Sequence, residues 1–271
     1  MRHTSPMMQM PRPADIAVPP APTFCQKGFT LTEMAVVLVI VALLVGGMMM
    51  PLSAQQDARN AGIARQSLQT VEEALLGFLV ANDRLPCPAT ADSLGQEKFA
   101  SDGSAANGKC ETFTSGFLPA VNLGITPTDD QGFALDAWNN RIRYVVFSGT
   151  INNVENPFTR TEGIKSATMS LFYGADAMLV VCPSATGLDT CVAGTTTNLT
   201  RKAPAITFST GKNGPLGTKG ADEAENLDGD NHFVMHDISP ASAANGEFDD
   251  IVKWLSGNLM LNRLVAAGKL P

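Results

Sequence analysis

Residues Phe29 to Met50 form a 22-residue run broken only by Thr30, Thr32, Glu33, Gly46 and Gly47. As a helix rising 1.5 Å per residue it reaches roughly 33 Å, enough to cross a hydrocarbon core of about 30 Å. A secretory signal would be cut away behind such a run. The one site resembling a signal-peptidase site, Leu52-Ser53-Ala54, has leucine where a small side chain is needed, so the run is expected to stay on the mature protein. Pro51 follows and is expected to kink the helix without ending it. Leu68, Val71, Leu75, Phe78 and Leu79 then fall on one helical face, with Gln55, Asp57, Arg59, Gln66 and Glu73 on the others. The spacing predicts one helix from about 29 to 80, apolar all round at first and amphipathic afterwards.

Charge orients this helix. Residues 1–28 carry Arg2, Arg12 and Lys27 against Asp15, a balance of +2, so the total of −7 leaves −9 for the remainder. A basic segment ahead of an apolar span is retained on the cytoplasmic side, which places the acidic remainder outside. The same deficit of cations leaves no basic stripe for phosphates and excludes nucleic acid as a partner. Pro11, Pro13, Pro19, Pro20 and Pro22 deny the leader a helix.

Cys25 lies in the leader, and Cys87, Cys110, Cys182 and Cys191 lie beyond the apolar run. An even number there fits an oxidising compartment. Proximity favours Cys87–Cys110 and Cys182–Cys191 among the three possible connectivities. Arg84-Leu85-Pro86-Cys87-Pro88 is expected to stop the helix, and residues 90–116, rich in Gly, Ser, Ala, Asn and Asp, read as a loop pinned by cysteines. Ile142–Phe147, Ala177–Val181, Ala205–Phe208 and Phe233–His236 read as strands separated by turns, which suggests an antiparallel sheet. Ile251, Leu255 and Leu259, flanked by Trp254, suggest a closing helix.

The segment that carries function is Lys27-Gly28-Phe29-Thr30-Leu31-Thr32-Glu33 followed by Met34 to Val45. An acidic residue in a spanning helix costs about 2.5–3.5 kcal/mol at the helix centre and less toward an end, so Glu33 needs an explanation. It can sit at the interface and reach water. A sharper reading comes from likeness: the stretch resembles the cleavage site of type IV pilins and type II secretion pseudopilins. The resemblance implies cleavage between Gly28 and Phe29 by a prepilin peptidase that also methylates the new amino terminus. It implies that Glu33 then compensates the positive amine of a neighbouring subunit, since opposite charges cost less as a pair than alone in a low-dielectric bundle.

Three later segments are similar to those of major pseudopilins. Asp136-Ala137-Trp138-Asn139-Asn140, followed by Arg141-Ile142-Arg143-Tyr144, resembles an Asp-x-Trp-Gly-Asn turn and its tyrosine strand. Asn139 replaces the glycine there, and asparagine tolerates positive φ better than most residues. Phe208 to Gly214 resembles a strand followed by a Ser-x-Gly-x-Asn-Gly turn. Phe248-Asp249-Asp250-Ile251-Val252-Lys253-Trp254 resembles the Asp-Asp-Ile-x-x-Trp ending. The Leu85-Pro-Cys-Pro segment and residues 151–200 lie outside the minimal pseudopilin pattern.

Asp249 and Asp250 match a position near which those relatives bind Ca²⁺, and Asp228 and Asp230, in the glycine-bearing loop Asn226–Asn231, add oxygens of the kind a hard cation takes. The alternative is a solvated acidic turn with capping aspartates. His232 and His236 have the spacing of a helical zinc pair but lie in a predicted strand, where such positions are about 13 Å apart. Gly211-Lys212-Asn213 lacks the spacing of a phosphate-binding loop, and no Gly-x-Ser-x-Gly elbow is present.

The expected architecture is therefore an α+β pilin-like fold, with a long N-terminal helix on an antiparallel sheet and disulfide-pinned loops. Its parts are a leader over 1–28, a membrane and filament-core helix over 29–50, an amphipathic half over 51–82 and a periplasmic head over 83–271. The expected function is that of a non-enzymatic filament subunit, held in the bacterial inner membrane with its leader cytoplasmic. Its expected partners are the peptidase/methyltransferase, other pilin-like subunits, and an assembly platform with its ATPase. The rivals are a minor or tip adhesive pilin and a binding module merely anchored to the membrane.

Overall fold

A computed structural model describes residues 28–167, 178–185, 198–214 and 220–270, with the side chains of 47–54 outside the description. The chain divides into two compact units, Met1–Met50 and Pro51–Pro271. The first helix, α1 (Leu31–Asn82), is 52 residues long. In the first unit its side chains from Met34 to Val45 are exposed on every side, as expected of a helix whose apolar surface has no partner within its own unit.

In the second unit α1 buries Ala61, Ala64, Leu68, Val71, Leu75, Leu76 and Leu79. These positions recur every three or four residues and make one apolar stripe. Phe78, expected on that stripe, is only half-buried, because it lies beneath the Arg84 guanidinium, 5.3 Å from its ring centre. The helix stops at Asp83, whose φ of 57° is left-handed and whose N–H closes back on the Leu79 carbonyl at 2.9 Å. Left-handed termination leaves the following Pro86 free of the helix it would break.

The elements that follow are β1 (Gly116–Phe117), α2 (Ala120–Leu123), β2 (Arg143–Val146), β3 (Thr150–Ile151), β4 (Val154–Glu155), α3 (Gly163–Ala167), β5 (Leu179–Cys182), β6 (Thr200–Ala203), β7 (Ala205–Ser209), α4 (Ala221–Glu225), β8 (His232–Val234), β9 (Ile251–Leu255) and α5 (Gly257–Ala266). The main sheet has the order β1-β2-β7-β9 and is antiparallel throughout, with Tyr144 opposite Thr207 and Ile206 opposite Trp254. A three-stranded sheet has the order β6-β5-β8. Here the antiparallel expectation is corrected, because β5 and β8 run parallel, Val181 facing Phe233. Parallel neighbours need a long connection, and the chain between β5 and β8 is long enough to supply one. The short hairpin β3-β4 turns on Asn152 and Asn153, both at positive φ, the pair of conformations a two-residue hairpin demands.

Three expected strands sit where expected within a residue or two: β2, β7 and β8. For the fourth, β5 begins at Leu179, and the Ala177 start proposed from sequence lies outside the described residues. The closing helix is corrected. Ile251 to Leu255 is the strand β9, and the helix α5 begins only at Gly257. Ile251 and Leu255 satisfy the spacing of a helical turn, but five residues cannot separate the two periods. The β-branched pair Ile251-Val252 with Trp254 instead fits the pleat beside β7.

Cys87 and Cys110 are bridged, with Cα atoms 5.4 Å apart. Cys182, fully buried, is disulfide-bonded too. Its expected partner Cys191 lies outside the described residues, as does Cys25.

Candidate functional site

The N-terminal end of α1 is built by its own sequence. Thr30 precedes the first turn; its hydroxyl accepts the Glu33 N–H at 3.2 Å, and the Glu33 carboxylate accepts the Thr30 N–H and hydroxyl, both at 2.9 Å. This is a capping box, in which the first and fourth residues each satisfy an N–H that the helix leaves without a partner. Glu33 therefore has a local role in the single chain, which the sequence reading did not foresee although Thr-x-x-Glu spells it. Phe29 and Leu31 project beside it, each more than four-fifths exposed. Among the described residues no helix is long and apolar enough to cross a membrane. The side-chain description of α1 pauses after Gly46, so Met48 to Met50, the end of the run, lie outside it.

The second constellation lies in the head. Asp136 closes the Asp-Ala-Trp-Asn-Asn turn by accepting the N–H groups of Trp138 and Asn140, both at 2.8 Å. Asn139 takes the left-handed conformation at φ 65°, doing the work of the glycine it replaces. The other Asp136 oxygen accepts the Ser209 hydroxyl, and Asn140 donates its amide to the Gly211 carbonyl. The turn after β7 then receives Asp249, whose Oδ2 accepts the N–H groups of Lys212 at 3.0 Å and Asn213 at 3.2 Å. The three segments singled out in the sequence thus meet at one place.

Asp249 stands there beside two other carboxylates. Glu223, from α4, is wholly buried; its Oε1 accepts the Asp249 N–H at 2.8 Å, and both its oxygens face the Asn213 amide at 3.0 Å. Glu223, Asp249 and Asp250 each place an oxygen within 4.8 Å of the others. Asp250 accepts the Asn226 amide at 2.8 Å and offsets, through its charge, the burial that lowers the Arg143 pKa. The Asp249 pKa is pushed up to about 6, first by burial and then by the Glu223 charge, against two backbone N–H groups that favour its ionised form. The sign of the resulting linkage follows. A raised pKa in the folded state means that folding takes up a proton between the ordinary value of 3.8 and about 6, so stability is gained below that window and lost above it. Chelator-treated protein is expected to gain urea resistance between about pH 7 and pH 4.5, and Asp249→Asn to lose the part of that gain due to this group.

Asp228 and Asp230, expected with Asp249 and Asp250, are not brought to them as one set. Asp230 groups with Glu225 and His232, binding the His232 N–H at 2.6 Å and ring Nδ1 at 2.8 Å. Asp228 accepts the Asp230 N–H at 3.0 Å, and burial raises its pKa. The glycine-bearing loop spends its aspartates on its own backbone, as short polar side chains in turns do. His232 and His236 go to different partners: His236 stacks on Phe248 at 3.9 Å and reaches the buried Asp222 at 3.1 Å. Asp222 also accepts the Ala185 N–H and the Asn245 amide, which ties α4 to two loops.

The comparisons bear on the N-terminal end. A family model described as the prokaryotic N-terminal methylation motif matches residues 23–49. This is the signature of type IV pilin and pseudopilin prepilin-type proteins. The prepilin motif covers Gly28, Phe29 and Glu33, and implies processing by prepilin peptidase and assembly with other pilin subunits. No curated protein and no solved structure matches the chain. Beyond the prepilin motif, Glu223 is the residue that sequence reasoning missed. It sits on a five-residue helix without apolar periodicity, and its only local signal is a pair of adjacent acids, Asp222-Glu223.

Proposed function

We propose that this chain is a structural subunit of a type II secretion or type IV pilus-like filament, processed by prepilin peptidase and assembled from the bacterial inner membrane. The observation that carries the proposal is the prepilin motif at the head of a helix whose apolar side chains are exposed all round. An apolar cylinder of that kind is stable only in lipid or among like helices. Residues 1–28 are the leader, 29–50 the span and later the filament core, 51–82 the amphipathic half, and 83–271 the periplasmic head. Phe29 becomes the methylated terminus. Glu33 exchanges its capping bonds with Thr30 for the amine of a neighbour, and a platform protein with its ATPase draws the subunit out. The role is mechanical, with no reaction catalysed by the chain.

A secretion pseudopilin is favoured over a pilus subunit by the meeting of Asp136, Ser209–Gly214 and Asp249, the segments that resemble major pseudopilins. The minor or tip pilin reading draws on the Cys87–Cys110 segment, which the minimal pattern lacks. In the head we place Ca²⁺ beside Asp249 and Asp250. The fit is supported by the buried Asp249 Oδ1, which has no hydrogen-bond partner. Asp230 groups with Glu225 and His232 instead, and Asp228 accepts the Asp230 N–H.

The test is the intact mass of membrane-extracted protein from hosts with and without prepilin peptidase. Loss of residues 1–28 with gain of one methyl group, only where the peptidase is present, is the expected result. An uncut chain, or one cut after Ala54, overturns the proposal and favours a head merely anchored to the membrane.

A further inference from the structure

We infer that Glu223, carried in by α4, is a direct third carboxylate ligand of the cation held at Asp249 and Asp250. The inference rests on the calcium reading above and adds a residue to it. Three observations bring Glu223 into the site. Its oxygen lies within 4.8 Å of those of Asp249 and Asp250. Oxygens bound to one Ca²⁺ at 2.3–2.6 Å stand at most about 5 Å apart, so a single ion can reach all three. The Glu223 side chain is wholly shielded from water, yet the hydrogen bonds described for it are only the Asn213 amide and the Asp249 N–H. Two such neutral donors are weak compensation for a buried charge beside a second one.

The independent pointer is Asp249 itself. It is 8% exposed, and its Oδ1 is buried without a partner while Oδ2 holds two N–H groups. That oxygen, with two further carboxylates beside it, meets no protein donor among the described residues and is open to a metal. The Lys212 ammonium acts on Asp249 through its charge but is paired with Asp57 at 2.7 Å. Arg143 acts toward Asp250 instead. A hard divalent cation adds positive charge among these three carboxylates and takes oxygens from the residues leading into β9 and from a short helix at once.

The position of Glu223 also has a structural consequence. Asp222, its neighbour, pins Ala185, Asn245 and His236. An ion gripping Glu223 therefore ties this same junction to the turn after β7 and to the start of β9.

The full chain in detergent is titrated with CaCl2 after EGTA treatment, reading the unfolding temperature and the emission of Trp254 and Trp138. Wild type is expected to gain stability with Ca²⁺. Glu223→Gln should weaken the apparent affinity by about tenfold or more, while in EGTA it is no less stable than wild type, since one of three clustered carboxylates is gone. Glu223→Asp keeps the charge but withdraws it by one methylene, and serves if the glutamine variant does not fold; its affinity should fall as well. A wild type indifferent to Ca²⁺ sinks the calcium reading and this inference with it. A Ca²⁺-responsive wild type whose Glu223 variants bind equally well overturns the role of Glu223 and leaves the calcium reading standing.

Discussion

Arg84→Ala is expected to destabilise the head by about 3–5 kcal/mol, the scale on which removing one partner strands a buried charge. The guanidinium meets Glu97 through two bonds of 2.7 Å, and the two side chains are 8% and 12% exposed. Phe78 and Phe99 each hold a ring centre 5.3 Å from it. Glu97 in turn accepts the Cys87 N–H at 3.1 Å, so the pair is fastened to the disulfide. The double variant Arg84→Met with Glu97→Leu should recover part of the loss, because well-packed apolar residues can replace a buried pair. It should not recover all, since the Cys87 N–H would be left without its acceptor, a cost of about 1–3 kcal/mol. The exposed pair Lys98–Asp92, 3.7 Å apart, is the control, and its loss should cost far less, since water screens it. Urea unfolding of the detergent-solubilised chain reads all three. A cost for Arg84→Ala no larger than that of the control would mean that water enters the pair.

Helix α1 was legible because its apolar positions repeat over many turns, from Ala61 to Leu79, and no other arrangement buries them together. The ends of elements were less so. Ile251 to Leu255 carries too few residues to choose between periods, and its neighbour β7, which decides, lies more than forty residues away. Strand β6, Thr-Arg-Lys-Ala, gave no apolar signal at all, because as an edge strand it buries only Ala203. Parallel pairing of β5 with β8 is a long-range choice that no local pattern encodes.

The candidate sites divide in the same way. Gly28 to Glu33 is contiguous and could be read directly. So could Asn139, because a left-handed turn position restricts the residue there. The carboxylate cluster could only be half read. Asp249 and Asp250 stand on a recognisable ending, but Glu223 joins them across 26 residues by an N–H from Asp249 to its carboxylate. The Asn226–Asn231 loop was misleading in composition. Asp228 and Asp230 accept N–H groups of their own turn, and Asp230 groups with Glu225 and His232 rather than with Asp249 and Asp250.

Gly211→Ala is expected to be among the most damaging single-methyl changes in the head, at about 2–5 kcal/mol, combining left-handed strain with overpacking. Gly211 has φ +62°, where a side chain is disfavoured, and a Cβ built there would stand 1.9 Å from the Asp249 Oδ1 and 2.4 Å from its Cγ. The methyl and the carboxylate cannot both stay. Moving Asp249 would break its bonds to Lys212 and Asn213 and pull on β9, while moving Gly211 would break the amide bond from Asn140. Gly124→Ala separates the two contributions: φ is +67°, and nothing lies within 4 Å of the added carbon, so only the backbone cost of about 1–2 kcal/mol remains. The difference between the two variants measures how tightly Asp249 is held against the turn. If the carboxylate is a ligand, Gly211→Ala should also abolish the Ca²⁺-dependent gain in unfolding temperature, whereas Gly124→Ala should leave that gain whole. Equal losses of stability in the two variants would mean that the Asp249 side chain has room to swing away, and a site built on so loose a carboxylate would bind no ion with useful affinity.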